Sequence, residues 1–128
     1  MTGPSSAPPV SHRVLRWALV VAWAGAFVAT HVPGRSIPQV HVGDKMLHVA
    51  GYFVLASLLV GLLATRGMPR RRRVAVVLAA FAVYGAFDEI TQPLFGRSAD
   101  TIDWLADMLG AAVAVAVWEL SFAIVRRR

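Results

Sequence analysis

Asp44 and His48, Asp88 and Gln92, and Asp103 and Asp107 are three polar pairs spaced i, i+4. A helix presents each such pair on one face, where carboxylates and an imidazole can accept hydrogen bonds, move a proton or grip a cationic group. Glu89 adjoins Asp88, and Lys45 and Arg97 add cations close by in sequence. An arginine fork suits phosphate or carboxylate, and a lysine serves as a point charge. Five of the seven acids fall in FDEITQPLFGRSADTIDWLADMLG, residues 87–110. The surrounding chain is hydrocarbon, so the elements that carry these residues come next.

The 128 residues are 57% apolar and 16% charged, with a mean hydropathy of +0.60, more apolar than an ordinary soluble domain. Four segments, 14–32, 46–65, 74–95 and 101–125, each approach the ~20 residues that a helix needs to cross ~30 Å of hydrocarbon. The last two carry acids at a cost of ~2.5–3.5 kcal/mol per central charge, yet backbone in lipid must close its own hydrogen bonds as helix. The expectation is an all-α integral membrane four-helix bundle over residues 13–128, preceded by a disordered Pro- and Ser-rich tail, 1–12. Segment 1 also has the outline of a signal peptide with a cleavage site at Ala24-Gly25-Ala26, but its apolar run continues past that point. With no cysteine, disulfide and thiolate chemistry are excluded.

Charge placement orients the chain. Arg13, Arg16, Arg66, Arg70 to Arg73 and Arg126 to Arg128 share one side of a four-span bundle, against Arg35, Lys45 and Arg97 on the other. This bias predicts both termini and the 66–73 loop in the cytoplasm, with 33–43 and 96–100 outside. The arginines of RGMPRRRR then serve topology and anionic headgroups. They lack the aromatic interleaving of a nucleic-acid surface, so the expected partners are membrane lipids and no nucleic acid.

All acids but Glu119 then lie at the outer ends of segments 2, 3 and 4. Asp44 and Asp100 are placed as N-caps, and Asp103 in a first helical turn. Asp107 lies beyond that turn, and Asp88 and Glu89 sit at a helix C-terminus, where the dipole disfavours acids. They need partners, which Lys45, Arg97, His48 and Gln92 can supply. A purely structural network, with Lys45 and Arg97 holding Asp88, Asp103 or Asp107, and a ligand site both satisfy this pattern. No metal is expected: recognised spacings such as HExxH are absent, and Lys45 and Arg97 compete for the carboxylates. Glu119 is expected to snorkel or to pair with Arg126, and the glycines to permit close helix approach.

DKMLHVAGYFVLASLL (44–59) and DEITQPLFGRSADTIDWLADMLGAAV (88–113) together resemble the VanZ-like family of small bacterial membrane proteins. That family opens one helix with Asp-Lys-x-x-His and has an E-x-x-Q helix end, followed by a Gly-Arg-Ser/Ala-x-x-x-x-Asp stretch. The matching positions are Asp44, Lys45, His48, Glu89, Gln92, Arg97, Asp103 and Gly110. Asp107 departs from the pattern, standing where the family often has Asn. Pro93 is expected to end its helix, leaving 93–100 as a loop. The founding member is associated with low-level teicoplanin resistance, so the resemblance implies a cell-envelope role in the bacterial cytoplasmic (inner) membrane.

Three classes of function follow. The first is a non-enzymatic protein whose outward site, Asp44, Lys45, His48, Asp88, Glu89, Gln92, Arg97, Asp103 and Asp107, binds a lipid-linked cell-wall precursor or a lipoglycopeptide without a cofactor. The second is an intramembrane enzyme acting on a lipid headgroup with Asp88, Glu89 or His48 as base, for which no nucleophile–base–orienter spacing is present. The third, an oligomeric transporter, lacks a broken helix at mid-depth.

Overall fold

Helix ends explain the architecture. In the computed structural model, which describes residues 11–32 and 43–127, Ser11 accepts a hydrogen bond from Arg13 N at 3.2 Å and opens α1, His12–His31. Val32 leaves the helix in extended geometry, the conformation favoured before Pro33. Helix α2, Asp44–Thr65, starts after Gly43, so Asp44 occupies the first helical position instead of the expected cap. There its carboxylate still favours the helix dipole.

α2 ends in a Schellman turn: Gly67, at φ 71°, donates to Ala64 O at 2.9 Å and Met68 donates to Leu63 O at 3.1 Å. Pro69 then opens α3, Arg70–Thr91. Arg70 to Arg73 therefore form the first turn of a helix, a correction to their reading as loop, because proline's fixed φ starts the helix at once. Pro93 does end α3, but Gln92–Phe95 continues as one 3-10 turn closed by left-handed Gly96 at φ 75°, so the irregular loop is shorter than the expected 93–100. Asp100 is the expected cap: its Oδ1 accepts from Ile102 N at 2.9 Å and starts α4, Thr101–Arg126. Of the expected disordered tail, 1–12, residues 11 and 12 instead cap and begin α1, while 1–10, and 33–42 of the first connection, lie outside the described residues.

All four helices are long and apolar enough to cross a membrane. Val21, Val83, Ile90, Leu120 and Val125 stand well exposed on the flanks, as lipid-facing residues do. α2 and α4 form the most extensive pair, with α3 against α4 and α1 against α2. Gly110 sets that pair's separation, since a Cβ there would collide with the Val49 carbonyl of α2. Leu55, Val60, Val77, Phe81, Ala111 and Ala114 fill the centre, and Trp23 of α1 stacks on Phe81 at 5.4 Å.

Candidate functional site

Helices α2 and α4 both begin, and α1 and α3 both end, at one end of the bundle, so the polar residues meet there. From α2, Lys45 Nζ donates to Asp103 Oδ1 at 2.6 Å and Asp100 Oδ2 at 3.0 Å. One turn deeper, His48 Nδ1 lies 2.8 Å from Asp107 Oδ1, while His48 Nε2 faces Asp103 Oδ2 at 3.8 Å. The helical spacing of 44, 45 and 48 thus runs alongside that of 100, 103 and 107, at the approach distance that Gly110 permits.

α3 supplies a second row. Gln92 Nε2 bridges Asp88 Oδ2 and Glu89 Oε1 at 3.2 Å each, a side-chain amide orientation assigned from this network. Glu89 Oε2 accepts from Asp100 N at 2.7 Å, which ties the end of α3 to the start of α4. Asp88 Oδ1 accepts from Thr30 Oγ1 at 2.9 Å, with His31 Nδ1 at 3.6 Å. His31 Nδ1 lies 2.8 Å from the Phe27 carbonyl, which can only accept, so that nitrogen carries a proton.

The structure therefore brings seven of the nine predicted residues into linked contacts, and the other two, Asp44 and Arg97, approach each other at 3.6 Å beside them. Of the pairings left open, Lys45 takes Asp103 and adds Asp100, whereas among the described residues Arg97 faces only Asp44, none of its expected acids, and neither cation touches Asp88 or Asp107. The reason is depth. Lys45 and Arg97 stay near the rim, while Asp88 and Asp107 are fully buried one turn below. Asp100, outside the spans, has its carboxyl held below its ordinary range by the Ile102 N–H and then the Lys45 ammonium.

Several members have no motif in the sequence. Thr30 and His31 come from the end of α1, where only their position next to a predicted loop marked them. Tyr52 and Tyr84 stack at 5.9 Å with both hydroxyls buried and unpartnered, as is Asp107 Oδ2. Gly85 gives Asp107 its room: a Cβ there would stand 3.3 Å from Oδ2. At the far end, Glu119 pairs with Arg73, Nη2 to Oε1 at 2.6 Å, and with Arg70 at 3.4 Å, not with the expected Arg126.

Four acids at the polar end, Asp88, Glu89, Asp103 and Asp107, are at most 6% exposed. Among the described residues only Asp103 has a lysine or arginine partner. One nitrogen of His48 and one oxygen each of Glu89 and Asp107 lie within 4.8 Å of one another, as do those of Asp44, His48 and Asp103, so each trio is able to hold a metal ion. On the flank, a groove between α3 and α4 is lined by Glu89, Asp100, Ala86, Ile90, Ala99 and Trp104. Carboxylates and hydrocarbon thus share one wall.

No curated protein and no solved structure matches the chain significantly. The family described as VanZ/LLP1 matches residues 12–123, which cover the first three helices, most of α4 and every residue of the polar end described above. The chain is a multi-pass membrane protein and belongs to the VanZ/LLP1 family.

Proposed function

We propose that the acidic end binds the polar part of a cell-envelope amphiphile, a lipid-linked cell-wall precursor or a lipoglycopeptide of the teicoplanin class. The groove between α3 and α4 carries this reading, because Glu89 and Asp100 line it together with Ile90 and Trp104. An amphiphile fits both: its tail lies along the apolar wall while its amines and hydroxyls reach the carboxylates. Lys45 is already engaged by two acids, so among the described residues the cation left for an anionic group is Arg97, held there only by the exposed Asp44. In this reading the end faces outward and both termini are in the cytoplasm of the inner membrane, which the arginine clusters support. A contribution to glycopeptide resistance or envelope stress tolerance follows from occupancy of this site.

A second reading rests on one contact. The buried His48–Asp107 pair at 2.8 Å is an imidazole oriented by a carboxylate, the arrangement of a general base in an enzyme acting on a lipid headgroup. Turnover of a labelled lipid precursor by purified protein, abolished in His48→Gln, would establish it over simple binding.

Binding of labelled teicoplanin and of labelled lipid-linked precursor to protein in nanodiscs tests the first reading. Glu89→Gln and Arg97→Ala are expected to weaken binding by about tenfold, the loss of one charged hydrogen bond. Unchanged binding in both variants, with normal insertion, sinks the reading. A periplasm-active reporter fused after Arg128 should be silent, and activity there reverses the orientation.

A further inference from the structure

We propose that His48, Glu89 and Asp107 form a binding site for one divalent transition-metal ion inside the acidic end of the bundle. All three are at most 6% exposed, come from three different helices, and place one nitrogen and two oxygens within 4.8 Å of one another. Donor atoms around an ion with ~2.1 Å bonds stand about 3 to 3.5 Å apart. His48 Nδ1 and Asp107 Oδ1, at 2.8 Å, already have nearly that separation. The Glu89 oxygen stands within 4.8 Å of both.

The independent sign of a missing partner is Asp107. It is 0% exposed, and its Oδ2 has no hydrogen-bond partner. His48 meets its Oδ1 at 2.8 Å and the Tyr52 hydroxyl lies close to the carboxylate, and a carboxylate buried so deeply is costly unless it is paired with a cation or neutralised. Among the described residues no lysine or arginine reaches Asp88, Glu89 or Asp107, and a divalent ion supplies the missing charge in one step. The ligands are also held from behind, as metal ligands usually are. Asp103 lies 3.8 Å from His48 Nε2 and is itself fixed by Lys45. Glu89 is oriented by Gln92 Nε2 and by the backbone N–H of Asp100.

One imidazole and two carboxylates suit a borderline ion such as Zn²⁺ or Mn²⁺ better than the all-oxygen preference of Ca²⁺ or Mg²⁺. Three protein ligands leave a coordination position open for water or a ligand oxygen. The trio Asp44, His48 and Asp103 is the weaker candidate, since Asp44 is exposed and Lys45 occupies Asp103. The inference concerns an ion and stands whether or not the amphiphile reading does.

The test uses full-length protein with a histidine-free tag, stripped by chelator, re-equilibrated with Zn²⁺ or Mn²⁺, and assayed for bound metal by mass spectrometry. Co²⁺ absorption serves as a second readout. One ion per chain is expected, with affinity lowered at least about tenfold in Glu89→Gln and Asp107→Asn and unchanged in Asp44→Asn. Wild-type protein that binds neither ion overturns the proposal without recourse to any variant. Equal binding by Asp107→Asn overturns it too, and loss in Asp44→Asn alone transfers the ion to the rim trio.

Discussion

The two ends of the bundle solve the same problem, acids within an apolar chain, in opposite ways. At the arginine end a single acid, Glu119, is surrounded by donors. Arg73 reaches it through Nε at 2.8 Å and Nη2 at 2.6 Å, Arg70 adds a contact at 3.4 Å, and the remaining Arg73 Nη1 donates to Met68 O at 2.9 Å. Phe122 lies under the guanidinium at 5.0 Å. Nothing is left over. At the acidic end, four buried carboxylates share one ammonium, two imidazoles, one side-chain amide, one hydroxyl and one backbone N–H, and Asp107 Oδ2 and the Tyr52 and Tyr84 hydroxyls are left without a close partner. A closed circuit serves packing, whereas an open one costs stability and is the sign of a site.

The largest expected effect follows from opening the closed circuit. Glu119→Ala leaves Arg73 buried and uncompensated, and should cost about 3–5 kcal/mol. Thermal unfolding in detergent measures it. Replacing both partners with hydrophobic residues, Arg73→Met with Glu119→Leu, should recover most of that loss, because the pair's own attraction roughly balances its desolvation. Recovery of stability with ligand and metal binding intact would separate the two ends cleanly.

Gly110 comes next, since both ends depend on the α2–α4 approach that it permits. A Cβ there meets backbone, the Val49 carbonyl and Phe53 N, which cannot rotate away as a side chain could. Gly110→Val should therefore cost about 1–3 kcal/mol by overpacking. It should also disturb His48–Asp107, three residues away on α4, more than Arg73–Glu119. Equal disturbance of the two pairs would show that the ends are not mechanically distinct.

Asp107→Asn reverses the sign. The substitution removes a buried charge, retains an oxygen for His48, and exchanges one unpartnered atom for another. Stability of the metal-free protein is expected to stay within about 1 kcal/mol of wild type or to rise, while metal binding falls. If its unfolding temperature dropped as far as that of Glu119→Ala, the acidic end would be a closed structural circuit after all.

The fold was legible because its signals are local. Spans came from length and apolarity, the α4 cap from Asp100, the end of α3 from Pro93, and the close helix contact from Gly110. That polar residues of three helices gather at one end was legible too, since i, i+4 pairs at helix ends need no tertiary information, whereas Thr30, His31, Tyr52 and Tyr84 carried no such pattern. The pairing of acids with cations was not legible. Lys45 prefers Asp103 to Asp88 because of depth along the bundle, a quantity that depends on how far each helix is shifted against its neighbour. Arg73 and Glu119 were misread for the same reason: 46 residues apart, they meet only because α3 begins at Pro69, earlier than hydropathy placed it. A metal trio drawn from three helices leaves no spacing at all in the sequence. His31, at the end of α1, is buried because Thr91 at the end of α3 and Phe95 of the 3-10 turn close over it, contacts that no local spacing announces.

The smallest expected effect probes the rim, where the two ends are most alike in being exposed to water. Asp100 is lowered below its ordinary value of 3.8, first by the Ile102 N–H and then by Lys45. A carboxyl whose folded pKa is depressed contributes stability that is fully present above its unfolded value and lost as pH falls through the folded one. Asp100→Asn keeps the capping oxygen and removes only the charge. The unfolding temperatures of wild type and variant should therefore differ by a constant amount from about pH 7 down to about pH 5, and converge below about pH 4. Raising salt to about 0.5 M should shrink the plateau difference, because Lys45 and Asp100 are both substantially exposed and their attraction is screened. The deeper pairs should not respond to salt. A salt-insensitive Asp100 would mean that the rim is sealed from water, and the open end would then begin further out than its exposed acids imply.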